Sequence, residues 1–396
     1  MRKIAIFFTI VVFNAIEAGK SQQKPESNEF LSAEQAISID FETEDCLFEK
    51  NGHLRCAPSS MTKLMTLYIV FSAVGSGRIK LCDEFPVSEQ AQKMTGSRSF
   101  FQAGTMAKVE DLIKSIAVHS GNDACIVIAE GLAGDVAAFV EEMNEKAKEF
   151  GLQNTHFTNP AGLPNDDHFS SVHDIAIISK RLISDFPQFY HYLSEKVFTV
   201  NSITQHNRNT LLGNSLNVDG LKTGKTDAGG YGISISAKND GKRLVVVVNG
   251  CKTAKARAAD ASKLLALGFK EFIPMKIAEA GQTISEVSIL FGVKEKVGIC
   301  AHENITVSVP KKYKDSLSVE IKVNEPVEAP IVLGAKLGEL TYKYGNFTFK
   351  SYDLFACESV EKVNIFQRGI IMLKRLFLGN KNGEHVEKPV GIKNAI

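Results

Sequence analysis

The sequence lacks an excess of charge, and this absence excludes one large class of protein. Its 396 residues include 46 basic and 45 acidic side chains, which gives a formal net charge of +1. Proteins that bind nucleic acids normally carry a basic excess or a basic stripe, so we expect no nucleic-acid partner. With 44% hydrophobic and 23% charged residues, the composition is that of an ordinary globular chain, and its length allows two domains.

Paired cysteine spacings are also missing. The sequence contains no Cys-x-x-Cys pair of the kind that binds metal or carries out redox chemistry. The number of cysteines, seven, is odd, so at least one has no partner within the chain. We therefore expect mostly buried, unpaired thiols, with a disulfide framework as the alternative, and no metal or organic cofactor. The cysteines are Cys46, Cys56, Cys82, Cys125, Cys251, Cys300 and Cys357.

The apolar run near the N-terminus is too short to span a bilayer. Arg2 and Lys3 precede a ten-residue, largely apolar run, Ile4–Phe13, and the small-residue segment Ala15–Ala18 follows. This pattern predicts a cleaved secretory signal peptide over residues 1–18 and a protein that works outside the cytoplasm. An uncleaved anchor is the alternative. The polar residues 19–33 predict a flexible leader.

The segment 34–273 predicts an α+β domain. We expect a strand over Ile37–Phe48, a turn at Asn51-Gly52 and a second strand towards Cys56, followed by a long helix that begins near Pro58-Ser-Ser60. Because strands are predicted at both ends of the segment and helices between them, one antiparallel sheet should be built from both ends. The other predicted helices are Val109–Ala117, Asp123–Leu132, Val136–Phe150 and Ala258–Phe272, and the late strands are Val218–Gly224, Tyr231–Ala237 and Lys242–Val248.

After about Pro274 the pattern changes to short segments of alternating polarity, which predict a small all-β domain over residues 274–357. Residues 358–379 predict an amphipathic helix, because the apolar side chains of Ser359–Leu378 recur on one helical face. The polar residues 380–396 predict a disordered tail. The predicted strands of the all-β domain are Ile284–Leu290, Ile305–Val309, Leu317–Val323 and Leu337–Tyr342.

Three short motifs follow one another along the first domain: Ser60-Met-Thr-Lys63, Ser120-Gly-Asn122 and Lys222-Thr-Gly224. None is specific alone, since four serines have a lysine three residues later and Ser-x-Asn occurs again at Ser215–Asn217. Of the Ser-x-x-Lys matches, only Ser60 begins a long apolar-faced helix after a predicted strand. The order and the structural context of the motifs therefore carry the specificity.

The motifs together supply the parts of a serine acyl-transfer site. A serine needs a base to take its proton, and a lysine three residues later lies on the same helical face. Lys63 is a base only when neutral, and burial with a neighbouring cation such as Lys222 would lower its pKa. Backbone N–H groups at a helix start stabilise an oxyanion, each worth about 2.7–4 kcal/mol of barrier. Each motif also has a purely structural interpretation. Ser60 and Lys63 would be a helix cap followed by a surface lysine, Ser120-Gly-Asn122 a helix N-cap, and Lys222-Thr-Gly224 a solvent-facing strand end.

With these motifs the chain resembles the low-molecular-mass penicillin-binding D-alanyl-D-alanine carboxypeptidases, from about residue 33 to the C-terminus. The resemblance implies a penicillin-binding/β-lactamase-like transpeptidase domain, with an antiparallel sheet and a helical subdomain, before the small all-β domain. It implies that Ser60 is acylated by a peptidoglycan stem peptide ending in D-Ala-D-Ala, or by an inhibitory β-lactam, with Lys63 as proton acceptor and Ser120 as catalytic partner. The substrate-binding residues by the same match are Asn122, Lys222, Thr223, Gly224, Arg208 and Arg257.

The resemblance also implies a location. In this family a C-terminal amphipathic helix tethers the enzyme to the outer face of the inner membrane. Residues 358–379 fit that role, since they combine an apolar stripe with basic residues such as Lys362 and Arg368. We therefore expect a periplasmic protein that is peripheral on the inner membrane. The alternative is a helix that docks on the all-β domain.

Two other functions remain open from the sequence. A serine β-lactamase commonly uses a Glu-x-x-Asn loop over the site, and Glu141–Asn144 has this spacing but falls in a predicted helix. The segment where such a loop would lie, Asn159–Leu163, contains no glutamate. A non-catalytic peptidoglycan-binding scaffold would be indicated by the loss of Ser60 or Lys63, and both are present. Lys225 departs from the family, which often has histidine or tyrosine there.

Overall fold

The computed structural model describes residues 30–323, 326–344 and 347–378. The predicted signal peptide over 1–18 and the predicted tail over 380–396 lie outside the described residues, as does the predicted leader up to residue 29. The chain divides into two compact units. The mixed unit contains the described residues up to Met275 together with Val307–Lys311, and the β-rich unit contains Lys276–Thr306 and the described residues from Lys312 onwards.

The strands of the mixed unit are β1 (Gln35–Asp40), β2 (Cys46–Lys50), β3 (Glu84–Pro86), β4 (Met106–Lys108), β5 (Val197–Val200), β6 (Ile203–His206), β7 (Val218–Thr226), β8 (Gly230–Asn239) and β9 (Lys242–Cys251). Five of them form an antiparallel sheet in the order β2-β1-β9-β8-β7. This order confirms the prediction of a sheet built from both ends of the domain. The strand that carries Lys222, β7, lies at an edge of the sheet.

The first hairpin differs from the prediction. We expected one strand over Ile37–Phe48 and a turn at Asn51-Gly52, whereas the chain already turns after Asp40. The Asp40 carboxylate accepts hydrogen bonds from the backbone N–H groups of Glu42 and Thr43, which is how Asp stabilises a turn. The expected long strand was wrong because a polar turn of this kind divides an otherwise apolar segment.

The helices of the mixed unit are α1 (Lys63–Gly75), α2 (Glu89–Gln92), α3 (Val109–Val118), α4 (Asn122–Ala133), α5 (Val136–Glu149), α6 (Val172–Asp185) and α7 (Ala254–Glu271), with short 3₁₀ helices at Ser59–Thr62 and Tyr190–Ser194. Helix α1 is buried on almost every side, since all residues from Lys63 to Phe71 are buried. A helix without a polar face lies inside a core. This position explains why a lysine at its first residue is removed from water.

Strand β9 separates two hydrophobic cores. Val245 and Val247 belong to the core around α1, α3, α4 and α6. Leu244, Val246 and Val248 belong to a second core that includes residues of α7. Because side chains alternate across a strand, a continuous apolar run in β9 is the expected sequence of a strand that is covered on both faces.

The last residues of the predicted leader pack onto this unit. Leu31 and Ala33 are buried. Asp260 on α7 accepts hydrogen bonds from the Ser32 hydroxyl at 2.7 Å and from the Ala33 N–H at 2.8 Å. The folded part of the chain therefore already includes residues 31–33.

The remaining strands are β10 (Phe272–Ala278), β11 (Thr283–Leu290), β12 (Lys296–Cys300), β13 (Ile305–Pro310), β14 (Ser318–Val323), β15 (Val327–Glu328), β16 (Lys336–Tyr344) and β17 (Phe347–Ala356), followed by helix α8 (Ile365–Leu378). A six-stranded sheet in the order β14-β16-β17-β12-β11-β15 forms the β-rich unit, and β10 pairs with β13. The predicted α+β domain with a small all-β module after it is confirmed. In the part of the chain that the structure describes, no helix has the length and apolarity to cross a membrane.

Candidate active site

The nucleophile segment is held in place by two close approaches of the backbone. Ser60 is half-buried in the 3₁₀ turn Ser59–Thr62, directly before α1. A Cβ atom at Gly162 would lie 1.9 Å from the Ser59 carbonyl oxygen, and a Cβ atom at Gly224 would lie 3.0 Å from the Pro58 carbonyl oxygen. Gly162 also has a positive φ of 76°. Glycine at these two positions therefore lets a loop and strand β7 contact the serine-bearing turn.

Lys63 connects three parts of this site. Its Nζ atom donates hydrogen bonds to Ser60 Oγ at 3.1 Å, to Asn122 Oδ1 at 2.8 Å and to the Ala161 carbonyl oxygen at 2.6 Å. The side chain is fully buried. An ammonium group has three donors, so each of them has a partner. The first motif, the second motif and the 159–163 loop thus meet at one amine.

The pKa of Lys63 is lowered to about 8; burial is the main cause and the nearby Arg208 guanidinium contributes, while Cys125 and Asp123 act in the opposite direction. We expected Lys222 to be the cation that acts on Lys63. The two lysines repel one another, which contributes to lowering the pKa of Lys222, and Arg208 is a second cation, not predicted in this role, that acts on Lys63. A fully buried amine with this pKa is neutral in an appreciable fraction of molecules near neutral pH.

The second motif lies at the start of α4. Ser120 is buried, has a positive φ of 71°, and its hydroxyl has no hydrogen-bond partner among the described residues. Asn122 is the first residue of α4, and its Nδ2 donates to the Thr95 carbonyl at 2.7 Å while Oδ1 accepts from Lys63. An unpaired buried hydroxyl on a strained backbone is typical of a functional position.

The third motif lies on strand β7, beside the nucleophile turn. Lys222 and Thr223 are buried, and Lys222 Nζ donates to the Thr223 carbonyl at 3.2 Å. Burial lowers the pKa of Lys222 well below its usual value, and three further cations, Lys63, Arg208 and Arg257, add to the shift. Thr226 on the same strand is hydrogen-bonded through Oγ1 to Ser59 Oγ at 2.9 Å.

The two arginines implied by the family resemblance are placed differently. Arg257 is a buried residue of α7 whose Nη2 donates to the Arg208 carbonyl at 3.3 Å, and its Nε has no partner among the described residues. Arg208 is exposed as a residue, and partial burial of its guanidinium lowers its pKa. Within the described chain, none of Lys63, Lys222, Arg208 and Arg257 forms a salt bridge with a carboxylate.

The segment with the β-lactamase-like spacing, Glu141–Asn144, does not form a loop over the serine. Glu141 is exposed and Asn144 lies with it inside α5. The Asn144 amide is occupied by the backbone of Phe157, with which it exchanges two hydrogen bonds of 2.8 and 2.9 Å. The segment next to Lys63 is instead Asn159–Leu163, which contributes a backbone carbonyl rather than a carboxylate.

Several site residues escaped the sequence reasoning. The role of the Ala161 carbonyl cannot be predicted from a motif, because every residue has a backbone carbonyl. Asp123 accepts hydrogen bonds from the backbone N–H groups of Ser99 and Phe101, which fixes the loop that Asn122 also holds. His168, which contacts Thr62, lies 106 positions away along the chain. Among the described residues no group of His, Cys, Asp and Glu side chains is arranged to hold a metal ion.

Two family models match the chain. Residues 20–253 match the model of D-alanyl-D-alanine carboxypeptidase, peptidase family S11. Residues 272–362 match the model of the C-terminal domain of penicillin-binding protein 5. The two matches follow the mixed unit and the β-rich unit in chain order.

Similar proteins cover most of the chain. The D-alanyl-D-alanine carboxypeptidase DacA of Haemophilus influenzae is 35% identical over 371 residues, covering 92% of this chain and 94% of the relative. The crystal structure of penicillin-binding protein 5 from the same species has a TM-score of 0.78 at 35% identity and covers 86% of this chain and 99% of its own. Penicillin-binding protein D2 from Listeria monocytogenes, solved in a cefotaxime-bound form, has a TM-score of 0.57 at 30% identity, covering 62% of this chain and all of that one (100%).

Proposed function

The chain belongs to the D-alanyl-D-alanine carboxypeptidase family, peptidase S11, and from this premise we propose that it removes the terminal D-alanine from peptidoglycan stem peptides. The observation that carries the proposal is the hydrogen bond of 3.1 Å between Lys63 Nζ and Ser60 Oγ, made by a fully buried amine whose pKa is lowered to about 8. A serine next to an amine that loses its proton near neutral pH is an activated nucleophile.

Acylation starts from neutral Lys63. A neutral amine has two donors and one lone pair, so it keeps its bonds to Asn122 Oδ1 and to the Ala161 carbonyl and accepts from Ser60. Ser60 Oγ then attacks the carbonyl carbon of the penultimate D-alanine while its proton moves to Lys63. The tetrahedral intermediate collapses when the C–N bond breaks and the leaving amine takes a proton. Ser120, whose hydroxyl is free in the described site, relays that proton from Lys63 to the leaving D-alanine.

Deacylation again uses Lys63 as the base. The amine that has passed its proton to D-alanine is again neutral, and it takes a proton from a water molecule that attacks the Ser60 ester. The ester C–O bond breaks and the proton returns to Ser60 Oγ. The products are the shortened stem peptide and the free serine, so no cofactor is required by the balance of the reaction.

The cationic side of the site supports recognition of a terminal carboxylate. Lys222 and Thr223 lie on β7 beside the nucleophile turn, and Gly224 permits the close approach. Charge-assisted hydrogen bonds to a carboxylate are among the strong ones. We assign Lys222 and Thr223 to binding the carboxylate of the leaving D-alanine, and Asn122 to binding the peptide. Arg208 and Arg257 add positive potential, and Arg257 does so from a buried position.

The same geometry supports inhibition by β-lactams. A β-lactam presents a strained amide carbonyl next to a carboxylate, so it matches Ser60 on one side and Lys222 on the other. The similarity to a penicillin-binding protein and to a structure solved in a cefotaxime-bound form favours this part of the proposal. The absence of a glutamate from Asn159–Leu163 favours a long-lived acyl-enzyme over a β-lactamase.

For location we propose secretion by the signal peptide over residues 1–18 and a peripheral position on the outer face of the inner membrane. Helix α8 exposes a row of large apolar side chains: Ile365, Phe366, Ile370, Met372 and Leu373. Burying each of these contributes about 1.5–3 kcal/mol. Residues 34–273 are proposed as the catalytic domain, 274–357 as the β-rich domain and 358–379 as the tether.

The test compares the mature protein with Ser60→Ala, and with Ser359→Ala as a matched control. Ser359 also precedes a lysine by three residues but lies exposed near the C-terminus. We expect release of D-alanine from a peptide ending in Lys-D-Ala-D-Ala, and labelling by a fluorescent penicillin, in the wild type and in Ser359→Ala. Both signals should vanish in Ser60→Ala. Labelling that decays within seconds would instead indicate a β-lactamase, and a folded wild type with neither signal would indicate a binding scaffold.

A further inference from the structure

His168 is a buried histidine that the three motifs do not include. It is 5% exposed and follows the loop that supplies the Ala161 carbonyl. Its Nδ1 atom accepts a hydrogen bond from the backbone N–H of Thr158 at 3.0 Å. Because that nitrogen is an acceptor, the proton of the neutral ring is on Nε2. Nε2 lies 2.8 Å from Thr62 Oγ1, so His168 donates to Thr62.

The ring is therefore a brace between two parts of the site. One end holds Thr62, which lies between Ser60 and Lys63 in the nucleophile turn. The other end holds Thr158, where the loop over residues 158–163 begins. The charged and titratable groups near the ring are His156 and Lys63. Burial and these two groups lower the pKa of His168 to about 4, which keeps the ring neutral under ordinary conditions.

The loop has little freedom once the brace is in place. Asn159 Oδ1 accepts from the N–H groups of Ala161 and Leu163 at 3.2 and 2.9 Å, which folds the loop into a tight turn. Thr66 on α1 donates to the Pro160 carbonyl at 2.7 Å. The turn directs the Ala161 carbonyl to Lys63 Nζ at 2.6 Å.

We propose that His168 is a positioning residue for acylation: its Nε2–H bond to Thr62 fixes the nucleophile turn against the 158–163 loop and so keeps Lys63 in line with Ser60. The proposal rests on the proposed reaction at Ser60. It assigns the histidine no contact with substrate. Its effect should fall on the chemical step rather than on substrate affinity, because a misplacement of about 1 Å between reacting groups costs up to about 10²-fold in rate.

Two conservative variants separate the two ends of the brace. A glutamine amide reaches the position of Nε2, so His168→Gln keeps the donor to Thr62. An asparagine amide reaches the position of Nδ1, so His168→Asn keeps the acceptor for Thr158 and loses the bond to Thr62. We expect the acylation rate constant to fall about 10- to 100-fold in His168→Asn, with the apparent affinity for a fluorescent penicillin unchanged. In His168→Gln the rate should remain within about threefold of the wild type.

A double-mutant cycle with Thr62→Val completes the test, because valine keeps the shape and removes the acceptor. If His168 and Thr62 affect the rate only through the hydrogen bond between them, the double variant His168→Asn/Thr62→Val is acylated no more slowly than either single variant. Thermal unfolding of each protein identifies variants that fail through folding. Additive rate losses, a loss confined to affinity, or equal losses in the Gln and Asn variants would each overturn the proposal. A wild type that is not acylated at all would contradict the proposed function itself, which is a separate result.

Discussion

The two sides of the site around Ser60 are built in opposite ways. On the nucleophile side, each donor of the Lys63 ammonium has an acceptor, and the turn is braced by the Thr62–His168 bond. On the cationic side, Lys222, Arg208 and Arg257 have no carboxylate partner among the described residues, and burial lowers the pKa of each. The first side is arranged for chemistry before substrate arrives. The second side has positive charge that a bound carboxylate would satisfy.

The largest effect should come from the nucleophile side. Replacing Lys63 by alanine removes the base and leaves the Asn122 Oδ1 atom and the Ala161 carbonyl without their donor. We expect the acylation rate to fall by about 10³-fold or more, measured by the rate of labelling with a fluorescent penicillin. Lys93→Ala is the control, since its side chain, directly after α2, is 75% exposed. Acylation within tenfold of the wild type in a folded Lys63→Ala protein would disprove the assignment of the base.

The second motif allows activity to be separated from stability. Ser120→Ala removes a hydroxyl that has no partner in the described structure, so we expect about 10²-fold slower turnover with an unchanged unfolding temperature. Asn122→Ala breaks bonds to both Lys63 and Thr95 and should lower the rate and the unfolding temperature together. Turnover and thermal unfolding of the two variants are measured side by side. An equal loss of stability in both would show that the Ser120 hydroxyl has a structural partner after all.

On the cationic side, the effect should depend on the substrate. Lys222→Gln removes a charge-assisted bond worth about 1.5–3 kcal/mol, so kcat/KM for a peptide with a free C-terminal carboxylate should fall about 10- to 100-fold. The wild type and the variant should differ by less than about threefold on a peptide whose C-terminus is an amide. Lys238→Gln, an exposed lysine on the neighbouring strand β8, is the matched control. A similar loss on both peptides would mean that Lys222 acts on the reaction and not on the carboxylate.

The smallest effect is a pH dependence. Because the pKa of Lys63 is lowered to about 8, the neutral amine makes up roughly a tenth of molecules at pH 7 and about nine tenths at pH 9. The acylation rate at saturating penicillin should therefore rise about tenfold between these pH values and then level off. At saturating penicillin the measured rate no longer depends on binding affinity, so an effect of Lys222 protonation on binding does not enter it. A rate that is flat or falls over this interval would contradict a lysine base.

Much of this site follows from the sequence, because its polar side chains sit in motifs with fixed spacing. The start of a long helix after Ser60 places Lys63 one turn away, and the late strands bring Lys222 to the sheet. What the sequence does not predict is how distant parts meet. The Ala161 carbonyl is a backbone group that no residue type marks, and the role of Arg208 as a second cation near Lys63 and Lys222 depends on the path of the chain.

The fold shows the same division. The use of strands from both ends of the domain and the helical middle follow from hydrophobic periodicity, since a period of two or of 3.6 is visible in the residues. The early hairpin was misplaced because the Asp40 side chain, rather than glycine, closes the turn. The strands Lys296–Cys300 and Phe347–Ala356 were missed: the first is only five residues long with Gly298 at its centre, and the pairing of the second with β16 is interrupted by shifts of register.

Strand β9 has a consequence for the chain before it folds. The run Leu244–Val248 is covered on both faces in the native protein, but in an unfolded chain it is a segment of high β-propensity without charge, which promotes aggregation. Lys242 and Arg243 precede it, and in the folded state they pair with Asp40 and Asp219. Flanking cations of this kind oppose self-association of an exposed strand. A chain that crosses a membrane unfolded would thus carry its own protection next to this aggregation-prone strand.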